Sequence, residues 1–380
     1  MKSSAIEGVF VKQPDGERLV NFGSNDYLGL ASKPLQPGCR LGRSSEWSDH
    51  DHQTKGVSAT ASSLICGWTD RHELLAQQLA DFKGSERVLV FPSGFAACGG
   101  VIATLATKDD LVASDELNHA SLIDGCRLSK ADRLIYPHRD VSTLRQGLQQ
   151  RLATGPGRYR RIWIVTDSVF SMDGHLAPLP DLCEVAEEFG ADLIIDEAHA
   201  TGILGKGLSG ACEAFGLKDR IAIRIGTLSK AFGAQGGFVA CPNVIAEYLI
   251  NRCRSFIYST ALSLPCVEAV LSAMQSIEDL ARRRDAVCRH ARRLRSSLGI
   301  TAMTPSDLMT MEAHIPIVPI MIGDDRSAVA AAMQLRQRGF FVPAIRPPTV
   351  PAGLARLRVS LSASHSDEMV SRLIEGLRAI

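Results

Sequence analysis

The sequence predicts an α/β fold on a mainly parallel sheet of seven strands, followed by a smaller α+β lobe. Two observations carry this. Short β-rich runs alternate with helix-like stretches from about Arg87 to Pro242, and the polar residues suited to chemistry follow those runs instead of lying inside them.

In chain order the runs are Val88–Phe91, Leu111–Ala113, Leu134–Tyr136, Ile162–Val165, Leu193–Ile195, Ile221–Ile223 and Gly237–Ala240. Each is aliphatic, short and bounded by polar or turn residues, the signature of a strand buried on both faces. Ahead of them, Ser32 to Lys55 is rich in Ser, Gly, Pro, Asp and His and poor in large aliphatics, which predicts an irregular linker or mobile loop. After them, an Arg-rich helical pattern from near Leu264 leads to Ile315–Ile322 and Leu357–Leu361, the core of the smaller lobe. The chain divides as an N-terminal segment 1–40, a large domain 41–262 and an α+β domain 263–380. Arg282, Arg283, Arg284, Arg289, Arg292, Arg293 and Arg295 read as the solvated face of a helix, with a phosphate on a carrier group as the alternative partner.

Composition excludes several classes of function. The 380 residues are 45% hydrophobic, enough for a large core, and the net charge is +1, so neither a polyanion as main partner nor nucleic acid is expected. The N-terminus lacks an apolar signal region and no apolar run approaches membrane-spanning length, so a cytoplasmic protein without membrane contact is expected. Ten cysteines are scattered with no C-x-x-C pair, as reduced core residues would be; no metal site is expected.

The chemistry gathers after the runs. Lys230, in Gly226–Gly233, sits among hydroxyls and small apolar neighbours, where desolvation would lower its amine's pKa and make it an imine former. Alone, such a lysine reads as a loop residue reaching solvent. Asp196 ends an aliphatic run, with His199 three residues on. That carboxylate would keep a ring nitrogen protonated and so make the ring an electron sink, and His199 would bond the ring's phenolic oxygen; a structural Asp–His contact or a metal pair is the alternative. Phe91–Ala97 supplies strand, glycine turn and helix start, a seat for phosphate at Gly94 and Phe95, which Thr227 and Ser229 would join. His119 follows another run, where its ring would stack on a flat cofactor or cap a helix. Ser171 would donate to a phenolate or serve only its own turn.

Together these residues resemble the α-oxoamine synthases, fold-type-I transferases dependent on pyridoxal 5′-phosphate that condense an amino acid with an acyl thioester and release carbon dioxide. The likeness runs from about Val20 to the C-terminus and rests on Asn21–Leu30, Asn118–Ser121, Phe170–Gly174, Asp196–His199 and Thr227–Lys230, all in the family's order. It implies that Lys230 forms the Schiff base with the cofactor and later moves the α-proton, that Asp196 pairs with the pyridinium, and that Ser171 and His199 contact the phenolic oxygen. It further implies that His119 stacks on the ring, that Gly94, Phe95 and Thr227 hold the phosphate, and that Asn25 and Arg358 grip the amino acid's carboxylate beside Thr349. Lys230, His119 and Asp196 are the implied catalytic set, and a homodimer with Phe256–Thr260 near the partner's phosphate is implied too.

The stretch Arg346–Arg358 is most similar to that of the biotin-pathway branch, which joins L-alanine to a pimeloyl thioester on coenzyme A or an acyl-carrier protein. Glycine C-acetyltransferase is the alternative, through Leu228–Lys230 and Gln235–Gly237. Gly56–Ser63 carries β-carbons where the family has a glycine-rich run, which keeps open a cofactor-binding relative without thioester turnover.

Overall fold

The seven runs do form one sheet, in the spatial order Arg87–Phe91, Gly237–Cys241, Ile223–Thr227, Asp192–Asp196, Ile162–Asp167, Leu111–Asp115, Asp132–Tyr136. The structure, a computed structural model, describes residues 5–14, 16–33, 57–155, 157–300 and 311–380. Beyond Lys33, the expected linker Ser32–Lys55 lies outside the described residues.

Neighbours from Ile223–Thr227 to Asp132–Tyr136 pair in parallel, and Gly237–Cys241 is antiparallel to both of its neighbours. The reason is the connection Leu228–Gly236, too short for a parallel crossover, which takes about a dozen residues. Alternate residues face opposite sides, so Val88, Val90, Leu111, Ala113, Ile162 and Ile164 enter one apolar cluster while Leu89, Phe91, Val112, Trp163 and Val165 enter another. Strands Leu111–Asp115 and Ile162–Asp167 are buried throughout, whereas the edge strand Asp132–Tyr136 exposes Arg133 and Ile135.

One strand differs from its expected place. Pairing starts at Ile223 and runs through Thr227, not over Ile221–Ile223. Arg224 and Gly226 interrupt the aliphatic pattern there. Arg224 is nonetheless buried, because it donates to the carbonyls of Lys83 (2.9 Å) and Gly84 (3.2 Å) at the end of the helix Asp70–Lys83. A β-carbon on Gly226 would lie 2.3 Å from the Phe238 ring, and one on Gly237 2.5 Å from the Gly94 nitrogen. Gly226 thus makes room for the Phe238 ring, and Gly237 lets the helix Gly94–Leu105 begin hard against its strand.

The smaller lobe holds the antiparallel strands Ile317–Gly323, Ala355–Ser360 and Ala344–Ile345. The N-terminal strand Arg18–Asn21 pairs in parallel with Phe340–Phe341, and Ser360 donates from its amide to Phe22 (2.7 Å). This joins Asn25–Tyr27 to the strand that carries Arg358. The arginines of the helix Ile277–Leu298 are not simply a solvated face. Arg283 donates to the Leu28 carbonyl, Arg284 to those of Ile203 and Gly205, and Arg295 to those of Ala313, Ile315 and Ile317. They tie the helix to backbone on both sides of it.

In the stretch with unexpected β-carbons, Thr60 adopts φ +61, a left-handed torsion costly for a β-branched residue. Thr60→Gly is expected to raise stability by about 1 kcal/mol, net of the freedom glycine adds to the unfolded chain. Urea unfolding checks this through the midpoint; an unchanged or lower midpoint would mean that the torsion stores no strain.

Candidate active site

The carboxyl ends of the parallel strands surround a cavity of about 260 Å³. Of the residues expected from sequence, Gly94, Phe95, His119, Asp196, His199, Thr227 and Lys230 all line it. They converge because each ends a strand or lies just after one, some at the start of the helix that follows.

At one end lies the N-terminus of Gly94–Leu105. Ser93 caps it, its hydroxyl accepting from the Ala96 amide at 3.1 Å. Among the described residues no acceptor faces the amides of Gly94 or Phe95, the usual surplus of donors in a first turn. Thr227 Oγ1 lies 2.7 Å from Ser229 Oγ and donates to the Gly236 carbonyl at 2.9 Å. Two free amides, two hydroxyls and a helix N-terminus suit a phosphate group.

The other end is acidic. Asp196 accepts from the Ala198 amide at 2.7 Å through one oxygen and from the Cys98 thiol at 3.2 Å through the other. Burial, then Asp196, push Cys98 well above a thiol's ordinary pKa, so it keeps its proton as a donor. Behind Asp196, the Glu197 carboxylate pairs with Lys83 and accepts from the Cys212 amide at 2.8 Å. Asp167 accepts from the His119 amide at 2.7 Å, and burial followed by Asp196 pushes its carboxyl well above the usual range. The ring of His119 caps the helix Ala120–Leu128 through Nδ1, which takes the Ser121 amide, yet His119 still lines the cavity and is exposed at its mouth.

Lys230 is half-buried and lines this cavity. Desolvation lowers its pKa, against the pull of Asp196 and Asp167. A larger fraction of the amine is therefore neutral at physiological pH than for a surface lysine, as a nucleophile or base requires.

The remaining expected residues form an adjoining shell. Arg358 donates to Asn25 Oδ1 at 3.1 Å, to Ser360 Oγ at 2.7 Å and to the carbonyl of Ser171. Asn25 and Ser171 are thus gathered by one guanidinium, although neither lines the cavity as bounded here. Thr349 is exposed in the loop after Ala344–Ile345 and does not reach the cavity.

Sequence reasoning missed three residues of the site. Cys98 lies four positions after Gly94 on one helix face, a spacing that points it at the same cavity. Asp167 ends its strand as Asp196 ends its own. Tyr27, buried outright, touches His199 and had no local signal beyond its motif.

The donor set fits pyridoxal 5′-phosphate: a phosphate seat, a carboxylate for a ring nitrogen and an amine for an aldehyde lie around one cavity. Among the described residues no three His, Cys, Asp or Glu side chains are grouped as a metal site would need. Comparison with known proteins agrees with this geometry. The model of aminotransferases of class I and II matches residues 17–377. The chain belongs to this pyridoxal-phosphate-dependent family, in its α-oxoamine synthase branch. The 8-amino-7-oxononanoate synthase of Lysinibacillus sphaericus is 41% identical over 366 residues, 96% of this chain and 90% of the relative. That of Anaeromyxobacter dehalogenans is 42% identical over 370 residues, 97% of this chain and 88% of the relative. Among solved structures, the serine palmitoyltransferase of Sphingomonas wittichii superposes with TM-score 0.87 at 27% identity, covering 99% of this chain and 90% of its own.

Proposed function

We propose that this protein joins L-alanine to a pimeloyl thioester with loss of carbon dioxide, giving 8-amino-7-oxononanoate for biotin synthesis. The observation that carries the reading is a half-buried, desolvated Lys230 facing Asp196 across a cavity beside the Arg358–Asn25 pair, in a chain alike over nearly its full length to synthases of that name.

Gly94, Phe95 and Thr227 would hold the cofactor's phosphate, Asp196 its ring nitrogen, Ser171 and His199 its phenolic oxygen, and Lys230 its aldehyde, with His119 over the ring face. When bound, the cofactor withdraws electron density from the amino acid's α-carbon. Two hydrogen bonds hold the oxygens of Asp196 in place at the cavity's acidic end. Arg358 and Asn25 would grip the alanine carboxylate, the planar guanidinium fork fixing which α-bond faces the ring. The neutral amine of Lys230 would take the α-proton and later return one, after the thioester carbonyl has been attacked and carbon dioxide has left. Thr349, on its exposed loop, would lie beside the substrate.

A homodimer in the cytoplasm is part of the same proposal. Val57, Ile65 and Tyr258 are 83%, 79% and 71% exposed, and Phe95, at the cavity mouth, is 52% exposed. Their segments adjoin: Ser62 bridges Thr260, and Ser255 donates to the Ala96 carbonyl at 2.7 Å. An apolar face continuous with the active-site mouth calls for a cover, and a second copy would supply it. A monomer in sedimentation would argue against this. No described helix is long and apolar enough to cross a membrane, and the described cysteines are all free, as in a reducing compartment.

The test is a pairwise assay of alanine and glycine against pimeloyl- and acetyl-coenzyme A, with product mass as readout. Alanine with pimeloyl-coenzyme A is expected to win. Preference for glycine with acetyl-coenzyme A would replace this reading with glycine C-acetyltransferase, and no product from any pair would leave a cofactor-binding relative.

A further inference from the structure

Tyr27 is fully buried, and its hydroxyl oxygen lies 2.7 Å from Nδ1 of His199, itself buried. A neutral imidazole carries one N–H and one lone pair, so this contact has two forms. Either the tyrosine donates to Nδ1 and the ring's proton sits on Nε2, or Nδ1–H donates to the tyrosine and Nε2 is a bare acceptor. With Nδ1 engaged by Tyr27, Nε2 is the nitrogen left for whatever occupies the cavity that His199 lines.

We propose that Tyr27 is a positioning residue that fixes the tautomer of His199, donating to Nδ1 so that Nε2 presents a hydrogen to the cavity. The inference rests on the proposed function only for what that hydrogen meets, the cofactor's phenolic oxygen.

The hydrogen-bond inventory selects this form. Tyr27 has a single hydrogen and two acceptors within reach, His199 Nδ1 at 2.7 Å and Asn25 Oδ1 at 3.2 Å. The second distance is beyond the usual range for a hydroxyl donor, and Asn25 Oδ1 already accepts from Arg358 at 3.1 Å. The positive guanidinium beside this group favours a phenol that turns its lone pairs toward Arg358 and its hydrogen away, toward His199. Burial, with Lys230, Arg358 and His119 all nearby, lowers the pKa of His199 well below its ordinary value, so the ring is neutral and the choice of tautomer is real. Burial also pushes the Tyr27 phenol up to about 12, so its proton is present to give. The Tyr27 hydroxyl oxygen thus lies between His199 Nδ1, at 2.7 Å, and the Arg358–Asn25 pair, 3.2 Å from Asn25 Oδ1.

The test labels histidine with 15N in the full chain, assigns His199 from the signal lost in His199→Gln, and compares the native protein with Tyr27→Phe before and after loading with pyridoxal phosphate. The native protein is expected to show Nε2 protonated and Nδ1 bare even before loading, with that preference lost in Tyr27→Phe. In the loaded protein, the pH midpoint of the cofactor's visible band is expected to rise by about one unit in Tyr27→Phe, since a weakened donor leaves the phenolate less stabilised. Protonated Nδ1 in the native chain overturns the proposal, and this needs no variant to fold. So does a Tyr27→Phe protein whose tautomer and midpoint both match the native ones. Absence of any visible band counts instead against the cofactor reading, and the tautomer measurement stands apart from it.

Discussion

Lys230→Ala is expected to lower turnover by more than about 10²-fold, because proton transfer by a positioned base alone contributes about 10²–10⁴-fold. The variant should fold as the native chain does. Lys230 lies in the turn after Ile223–Thr227, half-buried at the cavity, and its side chain makes no hydrogen bond among the described residues. Removing it also removes a desolvated amine, so no stability loss is expected. Steady-state rates alongside urea unfolding measure both quantities. A variant that keeps more than a hundredth of native turnover, with native stability, would take the proton step away from this residue.

The second large effect is on stability. Lys83 and Glu197 form an ion pair with both side chains 1% exposed, and Lys83 also donates to the Ser209 carbonyl. Lys83→Met leaves a buried carboxylate without its cation, a loss of about 3–5 kcal/mol. Glu197→Gln added to it should restore much of this, since the amide oxygen still accepts from Cys212 and no charge is stranded. The pH dependence separates this from a mere packing defect. In the native chain, burial pushes Glu197 up, but Lys83 and the Cys212 amide more than offset it, and its pKa lies below 4.5. That contribution is present above the usual carboxylate value and fades as pH falls through the lowered one. In Lys83→Met, burial acts without the cation and raises the carboxyl, so stability should instead improve as pH falls into the carboxylate range. Unfolding midpoints measured from pH 4 to pH 8 should slope in opposite directions for the two proteins. Parallel slopes would mean that the pair is screened or uncharged.

Much of this protein is legible from local pattern, and the reason is topological. A doubly wound sheet gathers the ends of its parallel strands, so Asp196, Thr227, Lys230 and the Ser93–Phe95 turn converge wherever the aliphatic runs are correctly placed. The strand Ile223–Thr227 is not legible from the aliphatic pattern, because Arg224 interrupts it and is buried only through carbonyls of a helix far off in the chain. On the helix Ile277–Leu298, Arg282, Arg289 and Arg292 are exposed as their pattern predicts, whereas Arg283, Arg284 and Arg295 depart from it, since periodicity shows which face they share but not the carbonyls that face meets. The pairing of Val20 with Phe340 has no local signature, nor does the contact of Tyr27 with His199, 172 residues on. Long-range hydrogen bonds, not elements, are what the pattern could not supply.

The central claim is tested most directly by loading the purified native protein with pyridoxal phosphate, reducing with borohydride, digesting and locating the added mass. The account predicts a single stable adduct on the peptide that contains Lys230, and none on it in Lys230→Ala. An unlabelled Lys230 peptide, or a label spread over surface lysines, would contradict it.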